Sequence, residues 1–203
     1  MNSSVPLKEV YDRVASGYSE YHKNDVWGYD LIKEMLGHLN PRSDVIDIGC
    51  GPGKECRFIK KCGFSPLGID FSRGMIELAQ TLNPQLPFQT LDITNLNQLG
   101  RKFEAVLARS VLLHLPRQGV SEVLGSIADT LSDGGWLYLT VKEGQGEEVV
   151  TECKYGDPYE RPFTYFTENE MSELLERAGF VVKKVIRHQQ KDAVRLQVLA
   201  QKT

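Results

Sequence analysis

The sequence predicts a doubly wound α/β fold, in which helices cover both faces of a mostly parallel sheet. Three observations predict it. Short β-branched runs alternate with amphipathic helical segments along most of the chain. A glycine-rich turn follows the first of these runs. The last two runs are joined by a short polar connection, which is typical of an antiparallel hairpin.

Two helices are predicted before the sheet begins. The first covers Leu7 to Tyr21, where apolar and aromatic residues recur at helical spacing. The second covers Val26 to Leu39 and stops at Asn40-Pro41, because the residue before a proline avoids helical geometry. We therefore expect residues 1–40 to form a helical cap. The first residues have no long apolar run, so neither a signal peptide nor a membrane anchor is expected.

Five strands and three helices are predicted between the cap and residue 142. The strands are Asp44 to Ile48, Ser65 to Ile69, Phe88 to Leu91, Phe103 to Ala108 and Trp136 to Val141. The helices lie at Lys54 to Lys61, after Ser72, and at Arg117 to Leu131. Strands that alternate with helices in this way predict a parallel sheet buried on both faces.

The C-terminal part departs from this alternation. A helix over Glu168 to Ala178 precedes two strands, Phe180 to His188 and Ala193 to Gln201. The polar connection Gln189 to Asp192 makes these strands an antiparallel hairpin. The segment 143–166 has little periodicity, and such long loops inside compact domains are usually lids or binding loops. We expect it to form a lid on the substrate side.

Length and composition fit one globular domain over residues 1–203, in the cytoplasm. The 27 acidic and 24 basic side chains are scattered along the chain, which disfavours a nucleic-acid partner. No segment approaches the ~18 apolar residues that span a bilayer, so no membrane partner is expected. A monomer or a homodimer fits this composition equally well.

The cysteines are expected to be reduced thiols. Cys50, Cys56, Cys62 and Cys153 form no C-x-x-C pair and have no nearby histidine at metal-ligand spacing. Cys50 lies in the glycine-rich turn, whereas Cys56 and Cys62 are expected at helix positions that face the core. We therefore predict neither disulfides nor a metal site.

The strongest motif is the turn Asp47-Ile48-Gly49-Cys50-Gly51-Pro52-Gly53, which follows the first parallel strand and opens a helix. Glycines allow a sharp turn and a close approach of a ligand to the backbone. Dinucleotide binding requires G-x-G-x-x-G, but the third glycine position is Lys54 here. A Walker motif is also missing from the sequence. The turn is therefore expected to bind a ligand without a pyrophosphate.

Acidic residues end the next two strands. Asp70 lies about twenty residues past the glycine turn, where a carboxylate that binds a ribose diol is expected. Asp92 ends the third strand, where its carboxylate can accept a hydrogen bond from an adenine amino group while Ile93 packs against the base.

At these residues the chain resembles the class I S-adenosylmethionine-dependent methyltransferases, over nearly its whole length. Val45 to Gly53 is similar to the family's cofactor loop, and Leu131 to Gly135 to its turn into the fifth strand. Tyr165 to Phe180 resembles the closing helix and sixth strand, and Tyr11 to Tyr18 the aromatic cap of many small-molecule members. The resemblance implies a Rossmann-like sheet of seven strands in the order 3-2-1-4-5-7-6, with strand 7 antiparallel.

The resemblance also implies the cofactor and its contacts. S-adenosylmethionine is the expected cofactor, with S-adenosylhomocysteine as its product. Asp70 is expected at the ribose, and Asp92 with Ile93 at the adenine. The full set of expected cofactor-binding residues is Tyr11, Tyr21, Asp47, Gly49, Cys50, Gly51, Gly53, Asp70, Phe71, Ser72, Met75, Asp92, Ile93, Arg109 and Ser110.

The end of the fourth strand supplies the candidates for the transfer step. Methyl transfer from a sulfonium is an in-line displacement that depends mainly on proximity and orientation. A base helps where the acceptor is a hydroxyl or an acidic carbon. His114 is the candidate base, and its structural alternative is to cap the turn before Pro116. Arg109 is a candidate to hold a carboxylate of the acceptor or of the methionine part, and its alternative is a salt bridge.

The segment Tyr155 to Phe166 is dense in aromatic residues and contains one arginine. It suits a flat or apolar acceptor, with Arg161 available for an anionic group. The expected substrate-binding residues are Arg109, His114, Tyr159, Arg161 and Tyr165. The alternative for this segment is an insertion packed on the edge of the sheet. His22 and His38 are expected at the ends of surface helices and His188 in the last hairpin, without a catalytic role.

Three functions remain open at this point. The first is methylation of a small molecule, which the single domain and the aromatic segment favour. The second is methylation of protein or RNA, although the chain lacks a basic stripe. The third is a protein that binds S-adenosylmethionine without catalysis, since binding and catalysis use different residues.

Overall fold

The helices and strands follow the predicted order in a computed structural model that describes residues 5–190 and 193–203. The helices are α1 (Leu7–His22), α2 (Tyr29–Gly37), α3 (Lys54–Lys61), α4 (Arg73–Leu82), α5 (Arg117–Thr130) and α6 (Glu168–Arg177). The strands are β1 (Asp44–Ile48), β2 (Ser65–Asp70), β3 (Phe88–Thr90), β4 (Phe103–Arg109), β5 (Leu131–Glu143), β6 (Glu147–Glu152), β7 (Tyr159–Phe166), β8 (Phe180–Gln189) and β9 (Val194–Lys202). Two 3₁₀ helices, Ile93–Leu99 and Leu112–His114, follow β3 and β4.

The main sheet has the predicted strand order. Strands β3, β2, β1, β4 and β5 are neighbours in that order and run parallel. Strand β9 then pairs antiparallel with β5, and β8 pairs antiparallel with β9. With β8 as the sixth strand and β9 as the seventh, this is the predicted order 3-2-1-4-5-7-6. Part of the polar connection 189–192 lies outside the described residues.

Both faces of the central strands are buried, as the doubly wound prediction requires. On β1, Val45 belongs to the apolar cluster that includes α2, whereas Ile46 belongs to the cluster that includes α5. On β4, Leu107 belongs to the cluster that includes α2, and Val106 belongs to the cluster that includes α5. Because successive strand residues point to opposite faces, a strand buried on both sides needs a continuous apolar run.

The prediction that 143–166 is an irregular loop was wrong. Strands β6 and β7 form an antiparallel hairpin, and β7 also pairs with the end of β5 through Lys142 and Tyr165. The sequence of β6, EEVVTE, is mostly exposed and has no alternation of apolar and polar residues, while β7 contains Pro162. An exposed edge strand needs no buried face, so β6 lacks a periodic signal. A proline argues against a strand, so Pro162 hides β7 in the sequence.

Cys62 is also placed differently from the prediction. It is exposed at the C-terminal end of α3, whereas Cys56, within α3, is completely buried. All four cysteines are free thiols. Among the described residues, no helix is long and apolar enough to cross a membrane.

Helix α1 is attached to the sheet domain by hydrogen bonds and close packing. The Asp12 carboxylate accepts a hydrogen bond from the Gly74 backbone nitrogen at 2.9 Å and from the Ser72 hydroxyl at 2.7 Å. On another face of α1, a Cβ atom on Gly17 would lie 2.3 Å from the Tyr155 carbonyl oxygen. The absence of a side chain at Gly17 therefore allows the turn between β6 and β7 to pack against α1.

We expect Gly17→Ala to lower the free energy of unfolding by about 1–2 kcal/mol, since a clash with backbone outweighs the gain in helix propensity. Gly119→Ala in α5 is the matched control, because nothing lies within 4 Å of its Cβ position. That control should be stabilised by up to ~1 kcal/mol. Urea unfolding of both variants measures the difference, and equal shifts would contradict the packing described at Gly17.

Candidate active site

The glycine-rich turn is tied to the end of β2. The backbone nitrogens of Gly49 and Cys50 both donate to the Ile69 carbonyl oxygen, at 2.8 and 2.9 Å. Gly49 and Gly51 have φ angles of +70° and +51°, which residues other than glycine rarely adopt. A Cβ atom on Gly51 would have no neighbour closer than 3.8 Å, so this residue borders open space. Gly53 instead packs against the Phe88 ring, where its Cβ would lie 2.6 Å away.

Asp70 is held behind this turn as a buried carboxylate. Its two oxygens accept hydrogen bonds from the backbone nitrogens of Gly51 and Ser72, both at 2.9 Å. Burial raises the pKa of Asp70 to about 6, although the two backbone donors oppose that rise. Each oxygen still has a lone pair, so a ligand hydroxyl can donate to this carboxylate.

A cavity of about 280 Å³, which we call the Asp70 cavity, opens beside this carboxylate. Its walls include the apolar side chains of Ile69, Met75, Leu91 and Ile93. Asp92 also lines the cavity, and its Oδ1 atom accepts from the Thr94 backbone at 2.9 Å and the Thr94 hydroxyl at 2.7 Å. An apolar slot bordered by two carboxylates suits a planar base attached to a sugar.

The structure brings most of the predicted cofactor residues to this cavity. Its lining includes Tyr11, Gly49, Gly51, Asp70, Phe71, Met75, Asp92, Ile93, Arg109 and Ser110. Asp47 and Cys50 line a neighbouring cavity of about 260 Å³, the Asp47 cavity. Gly53 and Ser72 line neither cavity, and Ser72 is completely buried at the N-cap of α4. Tyr21 lies elsewhere, in the cavity described below.

Arg109 forms a salt bridge, which the sequence analysis gave as the alternative to binding a ligand carboxylate. Its Nη1 atom lies 2.7 Å from Glu55 Oε1, and its guanidinium stacks 4.0 Å from the centre of the Trp27 ring. Arg109 nevertheless lines the Asp70 and Asp47 cavities.

Burial and the nearby Glu55 raise the pKa of Asp47 well above its usual range.

His114 lies at the end of a 3₁₀ helix and makes hydrogen bonds through both ring nitrogens. Its Nδ1 atom is 2.9 Å from the Pro162 carbonyl oxygen, which can only accept, so Nδ1 carries the proton. Its Nε2 atom, 2.8 Å from the Tyr11 hydroxyl, is therefore the acceptor. The Tyr11 oxygen in turn accepts from Arg161 Nη1 at 2.9 Å.

The surroundings of His114 disfavour its protonation. Burial, together with the positive charges of Arg161, Lys142 and Arg195, lowers the pKa of His114 to about 3. The imidazole is therefore neutral at physiological pH, and a proton placed on it would meet three cations. This argues against His114 as the group that retains a proton.

A larger cavity of about 430 Å³, the Arg161 cavity, lies between α1, the β6–β7 hairpin and the end of β5. Its described lining contains five cationic side chains, Arg109, Lys142, Lys154, Arg161 and Arg195, and two acidic ones, Asp25 and Glu152. Tyr18, Tyr21, Trp27, Tyr155 and Phe163 add aromatic surface. The Arg161 side chain is held in one position, because it forms a salt bridge with Glu152 and donates a hydrogen bond to the Tyr11 hydroxyl.

Of the predicted substrate residues, Arg109, His114 and Arg161 line this cavity. Tyr159 does not, because its buried ring packs with Val10 and Val14 of α1. Tyr165 lies outside the cavity, and its hydroxyl donates to Glu148.

Several residues of this site were missed in the sequence. His22, expected on the surface, is half-buried and lines the Arg161 cavity, as does His188, which stacks on Trp27. Tyr155 and Phe163 lie in the aromatic segment that the sequence did single out. His22 and Trp27 have no local signal, because their contacts with Tyr155 and His188 join distant parts of the chain.

The two larger cavities share one wall. Tyr11, Tyr18, Arg109, Ser110 and His114 line both the Asp70 cavity and the Arg161 cavity. The arrangement therefore offers two adjoining binding spaces that meet at the end of β4.

Within 5–190 and 193–203, no three His, Cys, Asp or Glu side chains are grouped as a metal site would require.

A family model described as a methyltransferase domain matches residues 19–185. A protein of Invertebrate iridescent virus 6 that is named as a methyltransferase is 28% identical over 180 residues, 82% of this chain and 66% of that protein. Phosphoethanolamine N-methyltransferase of Plasmodium falciparum is 26% identical over 164 residues, 75% of this chain and 60% of that protein. The match thus spans less than two thirds of either relative.

A solved structure has a similar fold. It is 1,6-didemethyltoxoflavin-N1-methyltransferase of Burkholderia thailandensis, with bound 1,6-didemethyltoxoflavin and S-adenosylhomocysteine. The TM-score is 0.70 at 22% identity, and the alignment covers 100% of this chain and 92% of that one. At this identity the likeness concerns the fold alone.

We expect His114 to remain neutral from pH 8 down to pH 4, as a result of burial and the adjacent cations. Long-range ¹H–¹⁵N NMR on ¹⁵N-histidine-labelled protein reports the protonation and tautomer of each ring, with His114→Gln for assignment. The spectrum should show the Nδ1–H tautomer. Titration of this ring near ~6.5, the ordinary value for histidine, would contradict the described environment.

The lowered pKa of His114 makes the free energy of unfolding depend on pH. The folded-state pKa of about 3 lies below the unfolded value of ~6.5, so the unfolded chain binds the extra proton first as the pH falls. The contribution of neutral His114 is complete above ~6.5 and is lost as the pH falls from there toward 3. His114→Gln should flatten the pH dependence of the unfolding free energy over this window, which urea unfolding at each pH measures.

Proposed function

Because the chain belongs to the methyltransferase domain family, we propose that it transfers the methyl group of S-adenosylmethionine to a small molecule that carries an anionic group. The observation that carries this proposal is the shared wall between the Asp70 and Arg161 cavities. One cavity fits a nucleoside, and the other offers an adjoining space with an excess of positive charge.

The residues present fit the cofactor. The Asp70 carboxylate would accept from the ribose hydroxyls, and the adenine would lie between Met75 and Ile93 with Asp92 at its edge. Gly51, which has no side chain and borders open space, leaves room for the ligand beside the turn. The Asp47 cavity, lined by Asp47, Lys54 and Arg109, would hold the charged methionine end.

The Arg161 cavity is proposed as the acceptor site. Its excess of cationic side chains favours a phosphate or carboxylate, and its aromatic walls favour a flat or alkyl portion. The acceptors named for two similar proteins, phosphoethanolamine and 1,6-didemethyltoxoflavin, are small molecules of these kinds, the first anionic and the second planar. Both features are combined in this cavity.

The chemical contribution of the protein is mainly positional. When bound, S-adenosylmethionine supplies an activated methyl group for in-line displacement. The side chains of the shared wall would orient the acceptor toward that methyl group, and α1 with the hairpin would exclude water. The enclosure by α1 and the hairpin also favours a small acceptor over a protein or RNA.

We expect S-adenosylmethionine affinity to fall as the pH is lowered through about 6, the pKa of Asp70. Ribose hydroxyls donate to the ionised carboxylate, whereas a proton on Asp70 would face the Gly51 or Ser72 N–H group. About a tenth of the carboxylate is ionised one unit below its pKa, so affinity at pH 5 should be roughly tenfold lower than at pH 7. Calorimetric titration measures this.

Asp70→Asn is the control for this titration. Its binding should be at least tenfold weaker at pH 7, about 1.4 kcal/mol, and nearly independent of pH between 5 and 7. An unchanged pH dependence in Asp70→Asn would assign the effect to another group. Failure of the folded wild type to bind S-adenosylmethionine would refute the proposed function.

The acceptor class can be tested with S-adenosylmethionine carrying a tritiated methyl group. We expect transfer into small molecules of a cell extract that are retained on an anion exchanger, with phosphoethanolamine and its neutral counterpart ethanolamine as a defined pair of probes. Label confined to the unretained fraction, to protein or to total RNA would contradict the proposal, as would an absence of label.

Lys142→Met should raise KM for the anionic acceptor about tenfold or more, because a hydrogen bond to a charged group contributes about 1.5–3 kcal/mol. The turnover number should change less. Lys184→Met is the matched control, since Lys184 pairs with Glu34 on an exposed surface away from the cavity.

A further inference from the structure

The Arg161 cavity contains a second pair of a phenol and an imidazole, in addition to Tyr11 and His114. His22 Nε2 lies 2.7 Å from the Tyr155 hydroxyl, and His22 Nδ1 lies 2.6 Å from Asp25 Oδ2. In the neutral imidazole, Nδ1 must carry the proton, because a carboxylate only accepts. Nε2 is then free to accept from the Tyr155 phenol. The donors run in one direction, from Tyr155 through His22 to Asp25.

The chain of three residues is firmly positioned. The Lys54 ammonium donates to the carbonyl oxygens of His22 at 3.2 Å and Asp25 at 2.6 Å, which fixes the turn after α1. The Tyr155 ring packs against the rings of Tyr18 and Tyr159, at centroid distances of 5.1 and 5.7 Å. Both the imidazole and the phenol are therefore held in place before any ligand binds.

The two imidazoles differ in their charged neighbours. His114 donates to a neutral carbonyl and faces the cations Arg161, Lys142 and Arg195. His22 donates to a carboxylate, which stabilises the imidazolium directly. The Arg161 cavity thus contains one imidazole that faces cations and one that is hydrogen-bonded to a carboxylate.

Other groups also face His22. Tyr18 and Tyr21 from α1 pack against its ring, Tyr155 approaches from the hairpin, and Lys54 of α3 and Arg109 of β4 contribute positive charge. Burial and these two cations lower the pKa of His22, while Asp25 opposes the shift. The imidazole is therefore neutral, and able to accept a proton, at physiological pH.

We infer that Tyr155, His22 and Asp25 form the proton relay of the transfer reaction, an inference that rests on the proposed function. As the acceptor's lone pair forms the new bond to the methyl carbon, the carbon–sulfur bond breaks and its electron pair remains on sulfur. The acceptor's proton passes to the Tyr155 oxygen, and the phenol proton passes to His22 Nε2. The imidazolium remains paired with Asp25.

The position of His22 also provides an exit for the proton. The side chains of His22 and Asp25 are 26% and 35% exposed, so the imidazolium can release its proton to bulk water. The relay then returns to its starting state, with the phenol protonated and the imidazole neutral. No further co-reactant is needed.

The first test is the titration of His22 in the full chain, by the ¹H–¹⁵N NMR measurement used for His114. We expect the Nδ1–H tautomer at His22 and a protonation midpoint well above that of His114. Asp25→Asn should lower this midpoint by about one pH unit or more. An Nε2–H tautomer, or a midpoint that does not respond to Asp25→Asn, would overturn the relay.

The second test is turnover of the acceptor identified in the tritium assay. Tyr155→Phe and His22→Gln should each lower kcat at least tenfold, within the range of general base catalysis. S-adenosylmethionine Kd should stay within twofold in Tyr155→Phe, the variant that isolates the relay, because His22 also lines the Asp47 cavity whereas Tyr155 does not. The deficit should shrink as the pH rises, because the acceptor then loses its proton without the relay. Tyr29→Phe and His38→Gln, which lie outside the cavity, are matched controls.

The two tests separate the possible failures. If the wild type methylates an acceptor and both relay variants keep its kcat, the relay is refuted while the proposed function stands. If the wild type methylates nothing, the proposed function fails, and the response of His22 to Asp25→Asn still decides whether the proton-accepting chain exists.

Discussion

The hydrogen bonds of the buried Asp70 carboxylate hold the elements of the site in place. The carboxylate accepts from Gly51 in the glycine turn and from Ser72 at the start of α4, so it joins two segments that follow different strands. Ser72 in turn donates to Asp12 of α1, which extends the same network to the cap. Burial makes this carboxylate costly to ionise, and a ligand hydroxyl offsets part of that cost. Cofactor binding and attachment of the cap are thus connected through one group.

A second network joins the cap to the hairpin. The Tyr11 hydroxyl donates to His114 and accepts from Arg161, while Tyr155 at the hairpin turn donates to His22 at the end of α1. Both phenols therefore bridge elements that enclose the Arg161 cavity. Cations lie near both imidazoles, but only His22 also has a carboxylate, Asp25, within hydrogen-bond distance. The two imidazoles therefore differ in the group that their Nδ1–H contacts, a carbonyl oxygen for His114 and a carboxylate for His22.

The sheet and most of the residues that line the Asp70 cavity could be predicted because their signals are local. Continuous apolar runs such as DVIDI and the helical spacing of α1 follow from the period of each element. The glycines at 49 and 51 are required by their backbone angles. The carboxylates Asp70 and Asp92 lie at strand ends, and parallel strands bring their carboxyl ends to one edge of the sheet. Strand β6 escaped prediction because it is mostly exposed and needs no apolar face.

The fold class, the strand order and the position of the glycine-rich turn could be predicted from the residues and from the family resemblance. The side chains that line the Arg161 cavity, and the charges that meet there, depend on how distant segments pack together. Arg109 pairs with Glu55, Arg161 with Glu152, and His22 with both Asp25 and Tyr155. Arg109 and Glu55 are 54 residues apart and His22 and Tyr155 are 133 residues apart, and the protonation of a buried group depends on all charges around it. Local sequence patterns contain no information on those distances, so the chemistry of His22 and His114 became distinguishable only after folding placed their neighbours.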